Sequence, residues 1–118
     1  MARYPVAMAQ LPNPENAVVE MRKLRGYCLN PDHPRGKHKA SVFASALGLT
    51  ADDSEELCQA LLSAAISEEV MLAEEDEYGQ RYMLDFGMST ETGSATMRSG
   101  WIVRSGEDFP RFKSCWVL

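Results

Sequence analysis

The chain has 118 residues, of which 45% are hydrophobic and 25% are charged, and its formal net charge is −5 at pH 7. This balance indicates one folded domain and excludes a disordered chain or a miniprotein built on disulfides. No apolar run reaches the ~18 residues of a membrane span, and the N-terminus lacks a basic start followed by an apolar stretch. We therefore expect a cytoplasmic protein without a membrane segment, whose three cysteines stay reduced.

Charge is distributed unevenly along the sequence. Residues 22–39 hold six of the twelve cations and both histidines against one carboxylate, Asp32. Residues 40–80 hold no Lys or Arg but ten of the seventeen acids. The net negative charge argues against nucleic acid binding over the whole surface, because such binding sums many phosphate contacts, but it permits one local basic pocket. The alternative is that both segments are solvated faces of the fold.

The predicted domain begins after an arm that contains prolines. Residues 1–16 carry three prolines and little periodicity, so we predict an extended arm there and a single domain over residues 17–118. Apolar residues three and four positions apart then predict three helices. Their buried stripes are Met21, Leu24 and Cys28; Ala40, Phe43, Ala44 and Leu47; and Leu57, Leu61, Ala64 and Ala65.

The apolar pattern changes from helical to alternating after Ser67. It predicts a hairpin over residues 70–86, a third strand over residues 97–104 and a final strand over residues 111–118. The predicted faces of the final strand are Phe112, Ser114 and Trp116 on one side and Lys113, Cys115 and Val117 on the other. Helices followed by a meander of about four strands predict an α+β fold, with the helices packed on one face of an antiparallel sheet.

The densest group of reactive residues is the run N-P-D-H-P-R-G-K-H-K at residues 30–39. It combines two imidazoles, three fixed cations and a glycine turn that leads into a helix, which are the parts of an anion site. RNA cleavage through the 2′-hydroxyl needs a proton acceptor, a proton donor and a cation, and histidine with lysine or arginine supplies them near neutral pH. The predicted anion-binding residues are Arg35, Gly36, Lys37 and His38. The alternative for His33 is a hydrogen bond that stabilises its own turn.

Other candidate sites have simpler structural explanations. Cys28, His33 and His38 lack a fourth ligand nearby, so we predict neither a metal site nor a cofactor. The acidic pairs and runs after Ile66 are either a contact for a basic protein partner or a solvated strand edge, and they comprise Glu68, Glu69, Glu74, Glu75, Asp76 and Glu77. Strand aromatics can stack bases, but core packing is the simpler explanation for Tyr82, Phe86, Trp101, Phe112 and Trp116.

The run K-L-R-G-Y-C-L-N-P-D-H-P-R-G-K-H-K-A-S-V-F at residues 23–43 resembles an uncharacterised bacterial and phage domain family. Members of that family read roughly K-L-x-x-Y-L-L-N-x-x-H-P-x-G-x-x-K-A-x-x-F. The further matching positions are Gly48, Leu49, Tyr78, Gly79, Tyr82, Trp101, Ile102 and residues 110–116. The resemblance covers about residues 15 to 116.

This family is similar to the small nucleases that include barnase, EndoU, the RNase colicins and RelE-like toxins, in which helices precede a four-stranded antiparallel sheet. The resemblance implies a metal-independent, toxin-related ribonuclease. In such nucleases a histidine or lysine near the helices works with a hydroxyl residue on a late strand, which implies catalytic roles for His33, Lys39 and Ser114. The family pattern ends in T-A-Y where this chain has Ser114, Cys115 and Trp116, so a serine supplies the hydroxyl.

Two classes of function stay open at this point. A nuclease predicts that His33, Lys39 and Ser114 converge on one open pocket that binds RNA. A noncatalytic interaction or immunity module predicts that His33 is fixed inside its turn and that Lys39 extends into solvent. In the second class, the acidic face contacts a basic protein partner.

Overall fold

The computed structural model describes residues 8–118 of the chain. Its helices are α1 (Met21–Lys23), which continues directly as a π-helix (Leu24–Cys28), α2 (Lys37–Leu47) and α3 (Ser54–Ser67). Short 3-10 helices occupy Pro14–Asn16 and Ala51–Asp53. The strands are β1 (Met8–Ala9), β2 (Val70–Asp76), β3 (Gly79–Ser89), β4 (Ser94–Arg104) and β5 (Arg111–Val117).

The strands form one antiparallel sheet in the chain order β1-β2-β3-β4-β5. The four long strands are the predicted meander, and the two-residue β1 adds to its edge beside β2. Helix α2 packs against β4 and β5, and α3 packs against β3. The predicted α+β fold is therefore confirmed.

Local sequence signals set the boundaries of α2 and α3. Gly48 ends α2 in the left-handed conformation, with φ at 67°, which glycine adopts without steric cost. Ahead of α3, the Asp53 carboxylate accepts a hydrogen bond from the Thr50 N–H at 2.8 Å, as part of a capping box. These caps fix the turn between α2 and α3 and thereby the direction in which α2 leaves the site described below.

The core lies between the helices and the sheet. It contains most of the predicted helix stripes, namely Leu24, Cys28, Ala40, Phe43, Leu47, Leu57, Leu61, Ala64 and Ala65. Ala44 is exposed, so its predicted burial is wrong. The buried face of α2 is narrower than predicted, because it is centred on Ala40, Phe43 and Leu47.

The predicted alternation of faces along β5 is wrong. Gly100 pairs with Ser114 and Trp101 pairs with Phe112, so Lys113 is an extra residue in the ladder. This bulge changes the side to which the strand presents its residues. Phe112 and Cys115, three positions apart, are both buried as a result, whereas Ser114 is half-buried.

The predicted arm packs against the domain over the part that the structure describes. The prediction for residues 1–7 lies outside the described residues. Met8–Ala9 is extended and pairs with β2, whereas Pro14–Asn16 is helical and Leu11 is 1% exposed within the core. The boundary at residue 17 stays a prediction. Within the described residues, every helix is too short or too polar to cross a bilayer.

Candidate functional site

A polar cluster is centred on Lys39, in the first turns of α2. The Lys39 ammonium donates hydrogen bonds to the Tyr27 hydroxyl and to Ser114 Oγ, each at 3.1 Å. It also lies 5.3 Å from the centre of the Trp116 ring, within range of a cation–π interaction. We call these four half-buried residues the Lys39 cluster: Tyr27, Lys39, Ser114 and Trp116.

The ammonium at the centre of the Lys39 cluster is not neutralised by a carboxylate. Among the described residues, every carboxylate within ion-pair distance of a cation contacts Arg22, Lys23, Arg81, Arg98 or Arg111 instead. An ammonium has three N–H donors, and the two hydroxyls accept two of them. The ammonium therefore has one N–H beyond those that the two hydroxyls accept, and no carboxylate of the described residues neutralises its charge.

Three separate segments bring the Lys39 cluster together. Tyr27 comes from the π-helix, Lys39 from α2 and Ser114 from β5 after the bulge. The turn between the π-helix and α2 is so tight that a Cβ atom on Gly36 would collide with the Tyr27 carbonyl oxygen. Glycine at position 36 therefore allows the two helices to approach closely enough for Tyr27 to reach Lys39.

His33 is fixed inside its own turn. Its Nδ1 accepts hydrogen bonds from the N–H groups of Arg35 and Gly36, both at 3.0 Å. Two donors on Nδ1 require a neutral ring whose proton is on Nε2. The ring also packs edge to face on Tyr27, with centroids 4.8 Å apart. His33 thus touches the Lys39 cluster through Tyr27, and its interaction with the turn matches the alternative stated for it above.

The backbone N–H groups and the side chains of the predicted anion-binding residues have different environments. The Arg35 and Gly36 N–H groups donate to His33, and the Lys37 N–H donates to the His33 carbonyl at 2.9 Å. These donors are used within the loop. The side chains of Arg35, Lys37 and His38 are exposed, and they surround the start of α2 with positive or titratable groups.

A cavity of about 400 Å³ lies beside the Lys39 cluster. Its lining comes from α2 and β5 and consists of His38, Lys39, Val42, Trp116 and Val117. His38, rather than His33, is the histidine that borders this cavity. The chemistry available there is one cation, one imidazole and one indole ring on an otherwise aliphatic wall.

A family model described as a domain of unknown function, DUF6883, matches residues 10–118. The chain belongs to this family. The search of curated proteins gives no match for it. Among solved structures, the domain is similar to a chain of a contact-dependent growth inhibition toxin–immunity protein complex from Klebsiella pneumoniae 342. The TM-score is 0.67 at 16% sequence identity, with 86% of this chain and 99% of that chain covered, which shows a shared fold.

Two buried thiols lie under the Lys39 cluster of this DUF6883 domain. Cys28 Sγ is 3.8 Å from Ser114 Oγ, and Cys115 is the largest influence on the pKa of Cys28. The hydrogen bond from Cys115 lowers the pKa of Cys28 to about 6, with help from Ser114 and the Lys39 charge, although burial opposes the shift. The same contact and its own burial raise the pKa of Cys115 well above its usual value.

Two of the predicted catalytic residues lie in the Lys39 cluster, and their catalytic roles stay a prediction. Lys39 and Ser114 were both predicted from the resemblance, and the structure places them in contact. Tyr27 and Trp116 were missed as site residues. Tyr27 could have been found from its position in the matching run at residues 23–43. For Trp116, the alternating pattern of the final strand favours core packing. Within the described residues, no three His, Cys, Asp or Glu side chains are grouped as a metal site would require.

Proposed function

We propose that this domain is a metal-independent ribonuclease that cleaves RNA through the ribose 2′-hydroxyl, with Lys39 as a catalytic residue. The observation that carries the proposal is the Lys39 ammonium, which two hydroxyls hold at 3.1 Å beside a cavity and which no carboxylate of the described residues neutralises. A positioned cation at a cavity suits an anionic ligand whose charge grows in the transition state. The fold shared with a chain of a growth inhibition toxin–immunity complex agrees with a role on either side of such a pair, as toxin or as immunity protein.

The proposed reaction uses two residues that line the cavity. The 2′ oxygen bonds to phosphorus, the bond from phosphorus to the 5′ oxygen breaks, and a 2′,3′-cyclic phosphate forms. His38 accepts the proton of the 2′-hydroxyl, since its exposed imidazole borders the cavity. The Lys39 ammonium stabilises the phosphorane oxygens and gives a proton to the departing 5′ oxygen.

Tyr27, Ser114 and His33 position the catalytic groups in this proposal. The two hydroxyls hold the Lys39 ammonium in one place, which removes the entropy of a free lysine side chain before the reaction. His33 acts through its turn and through the ring of Tyr27. A proton transfer at Nδ1 of His33 would break two hydrogen bonds, so His33 is not the base here.

The test is cleavage of a varied RNA panel by purified protein in the presence of a metal chelator. We expect products that end in a cyclic phosphate. Lys39→Met and His38→Ala should each lower the rate by about 10² to 10⁴-fold, as expected for loss of one acid, base or charge-stabilising group. Arg104→Met is the matched control, because it removes an exposed charge at the far end of β4 and should leave the rate unchanged.

His33→Ala separates positioning from proton transfer. It leaves two backbone N–H groups without an acceptor, so it should lower the free energy of unfolding by about 1 to 3 kcal/mol. The folded fraction should still cleave RNA within about tenfold of the wild-type rate, well short of the loss expected for a base. Activity that survives unchanged in Lys39→Met would contradict the proposal and indicate a contaminating ribonuclease.

A second candidate function is a noncatalytic module that binds a basic protein partner. Residues 74–77 on β2 and its turn are exposed acids, and Leu72 and Tyr78 beside them are 42% and 65% exposed. Charged and apolar surface side by side is typical of protein contacts. This candidate predicts no RNA cleavage by the wild type. It also predicts calorimetric binding of an arginine- and lysine-rich peptide that Glu74→Lys with Glu75→Lys abolishes.

A further inference from the structure

We propose that the cavity beside Lys39 binds one nucleotide, with its base stacked on Trp116 and its phosphate held by Lys39. This inference rests on the proposed function for the class of ligand, and it adds a base-binding subsite and a residue that determines affinity. It concerns binding alone, so it is testable with nucleotides that are not cleaved.

The volume and lining of the cavity suit an aromatic base. Its volume of about 400 Å³ lies within the ~300–1,000 Å³ of small-molecule sites. An indole ring forms part of the wall, and Val42 and Val117 supply aliphatic surface. Stacking on an aromatic side chain is the general way in which proteins hold unpaired bases, because every base has a π-face.

The two tryptophans of the domain have different environments. Trp101 is 1% exposed, packs edge to face on Phe112 and donates its indole N–H to Ser99 Oγ at 2.9 Å. Trp116 is half-buried, lines the cavity, and its ring centre lies 5.3 Å from the Lys39 ammonium. Trp101 is therefore part of the core, whereas Trp116 has ring surface to offer a ligand.

Charge at the cavity selects a nucleotide over an uncharged aromatic ligand. The Lys39 ammonium lies 5.3 Å from the Trp116 ring centre, so one small ligand can contact both groups. His38 adds a second group that binds phosphate when protonated. An indole ring and an ammonium in one cavity suit a ligand that carries both an aromatic ring and an anionic group, as a nucleotide does.

Tryptophan fluorescence tests the inference directly. We expect adenosine 3′-monophosphate to quench wild-type fluorescence in a saturable way, because stacking changes the environment of Trp116. In Trp116→Phe the quenching should disappear, while calorimetry still shows binding within about fivefold of wild type. Trp116→Ala should weaken binding by about tenfold or more, since base stacking accounts for that much affinity.

Lys39→Met and adenosine measure the phosphate contribution. Adenosine should bind more weakly than the nucleotide to the wild type, and Lys39→Met should bind both ligands about equally. Near-ultraviolet circular dichroism of the buried Trp101 checks that each variant is folded. Equal nucleotide affinity in folded Trp116→Ala and wild type, or binding of inorganic phosphate as tight as that of the nucleotide, would overturn the inference.

The outcomes also separate this inference from the proposed function. Nucleotide binding that depends on Trp116, in a protein that cleaves no RNA, supports the subsite and rejects the ribonuclease. RNA cleavage that depends on Lys39, with the same KM in Trp116→Ala as in wild type, supports the ribonuclease and rejects the subsite.

Discussion

At the scale of single residues, the ionisation of Cys28 depends on the arrangement of the Lys39 cluster. Cys28 Sγ lies 3.8 Å from the Ser114 hydroxyl that also binds Lys39, and Cys115 is the largest influence on its pKa. Its pKa of about 6 therefore reports the whole arrangement of thiol, hydroxyl and ammonium. Cys58 is also buried but lies on α3, where burial and Glu55 raise its pKa.

We predict that one thiolate forms in the folded protein with a midpoint at about pH 6. Ultraviolet absorbance of the thiolate measures it. Cys28→Ala should remove this transition, Cys58→Ala should leave it unchanged, and Cys115→Ala should move it to higher pH because the main donor is gone. If the wild type forms no thiolate at a pH below the ordinary pKa of a cysteine, then Cys115 and Ser114 do not donate to Cys28.

The lowered pKa of Cys28 predicts that the folded state becomes less stable as the pH falls. The folded-state pKa of Cys28 lies below the ordinary thiol value of 9.0 expected in the unfolded chain, so the thiolate favours the folded state. Relative to Cys28→Ala, the wild type should be stabilised fully above about pH 9 and lose that stabilisation as the pH falls to about 6. The raised pKa of Cys115 works in the opposite direction at still higher pH.

At the scale of elements, the helices were easier to predict than the last strand. The buried stripe of α3 follows directly from the sequence, because apolar residues three or four positions apart lie on the same face of a helix. The alternation of β5 fails because one bulge shifts the face of every residue after it. A bulge depends on how β4 and β5 pair, which the local sequence of β5 does not contain.

The buried helix faces carry a stability prediction. Phe43→Ala and Leu57→Ala should each lower the free energy of unfolding by about 2 to 5 kcal/mol, because both side chains are completely buried and leave a cavity behind. Chemical denaturation measures the change. Ile66→Ala is the control on α3, since Ile66 is 57% exposed and its loss should change stability by less than about 0.5 kcal/mol.

The candidate site is built from contacts between elements, which limits what its sequence reveals. Lys39 and Ser114 are 75 positions apart and meet only because α2 packs on β5. The family resemblance predicts that both residues belong to one site, but it does not explain how they come into contact. Tyr27 and Trp116 were missed because an aromatic residue with apolar neighbours has the same pattern in a core and beside a cavity.

At the scale of the whole molecule, the separation of charge limits where RNA would bind under the proposed function. The net charge of −5 repels a polyanion from most of the surface, so the attraction that the proposal requires has to come from the basic segment near α2. Within that segment, Arg22 and Lys23 are paired with Glu20. The cations of the segment without an ion pair among the described residues are Arg25, Arg35, Lys37 and Lys39.

The number of unpaired cations predicts the salt dependence of RNA binding. Four phosphates neutralised on a single strand correspond to a slope of about −3 when the logarithm of the binding constant is plotted against that of the salt concentration. Lys37→Ala should make this slope shallower by about 0.7, whereas Arg104→Met should leave it unchanged. Fluorescence anisotropy with a short RNA that lacks 2′-hydroxyls at the cleavage step measures binding without turnover. A slope near zero would mean that RNA does not neutralise these cations, and binding to a basic protein through residues 74–77 would then be the better explanation of the charge separation.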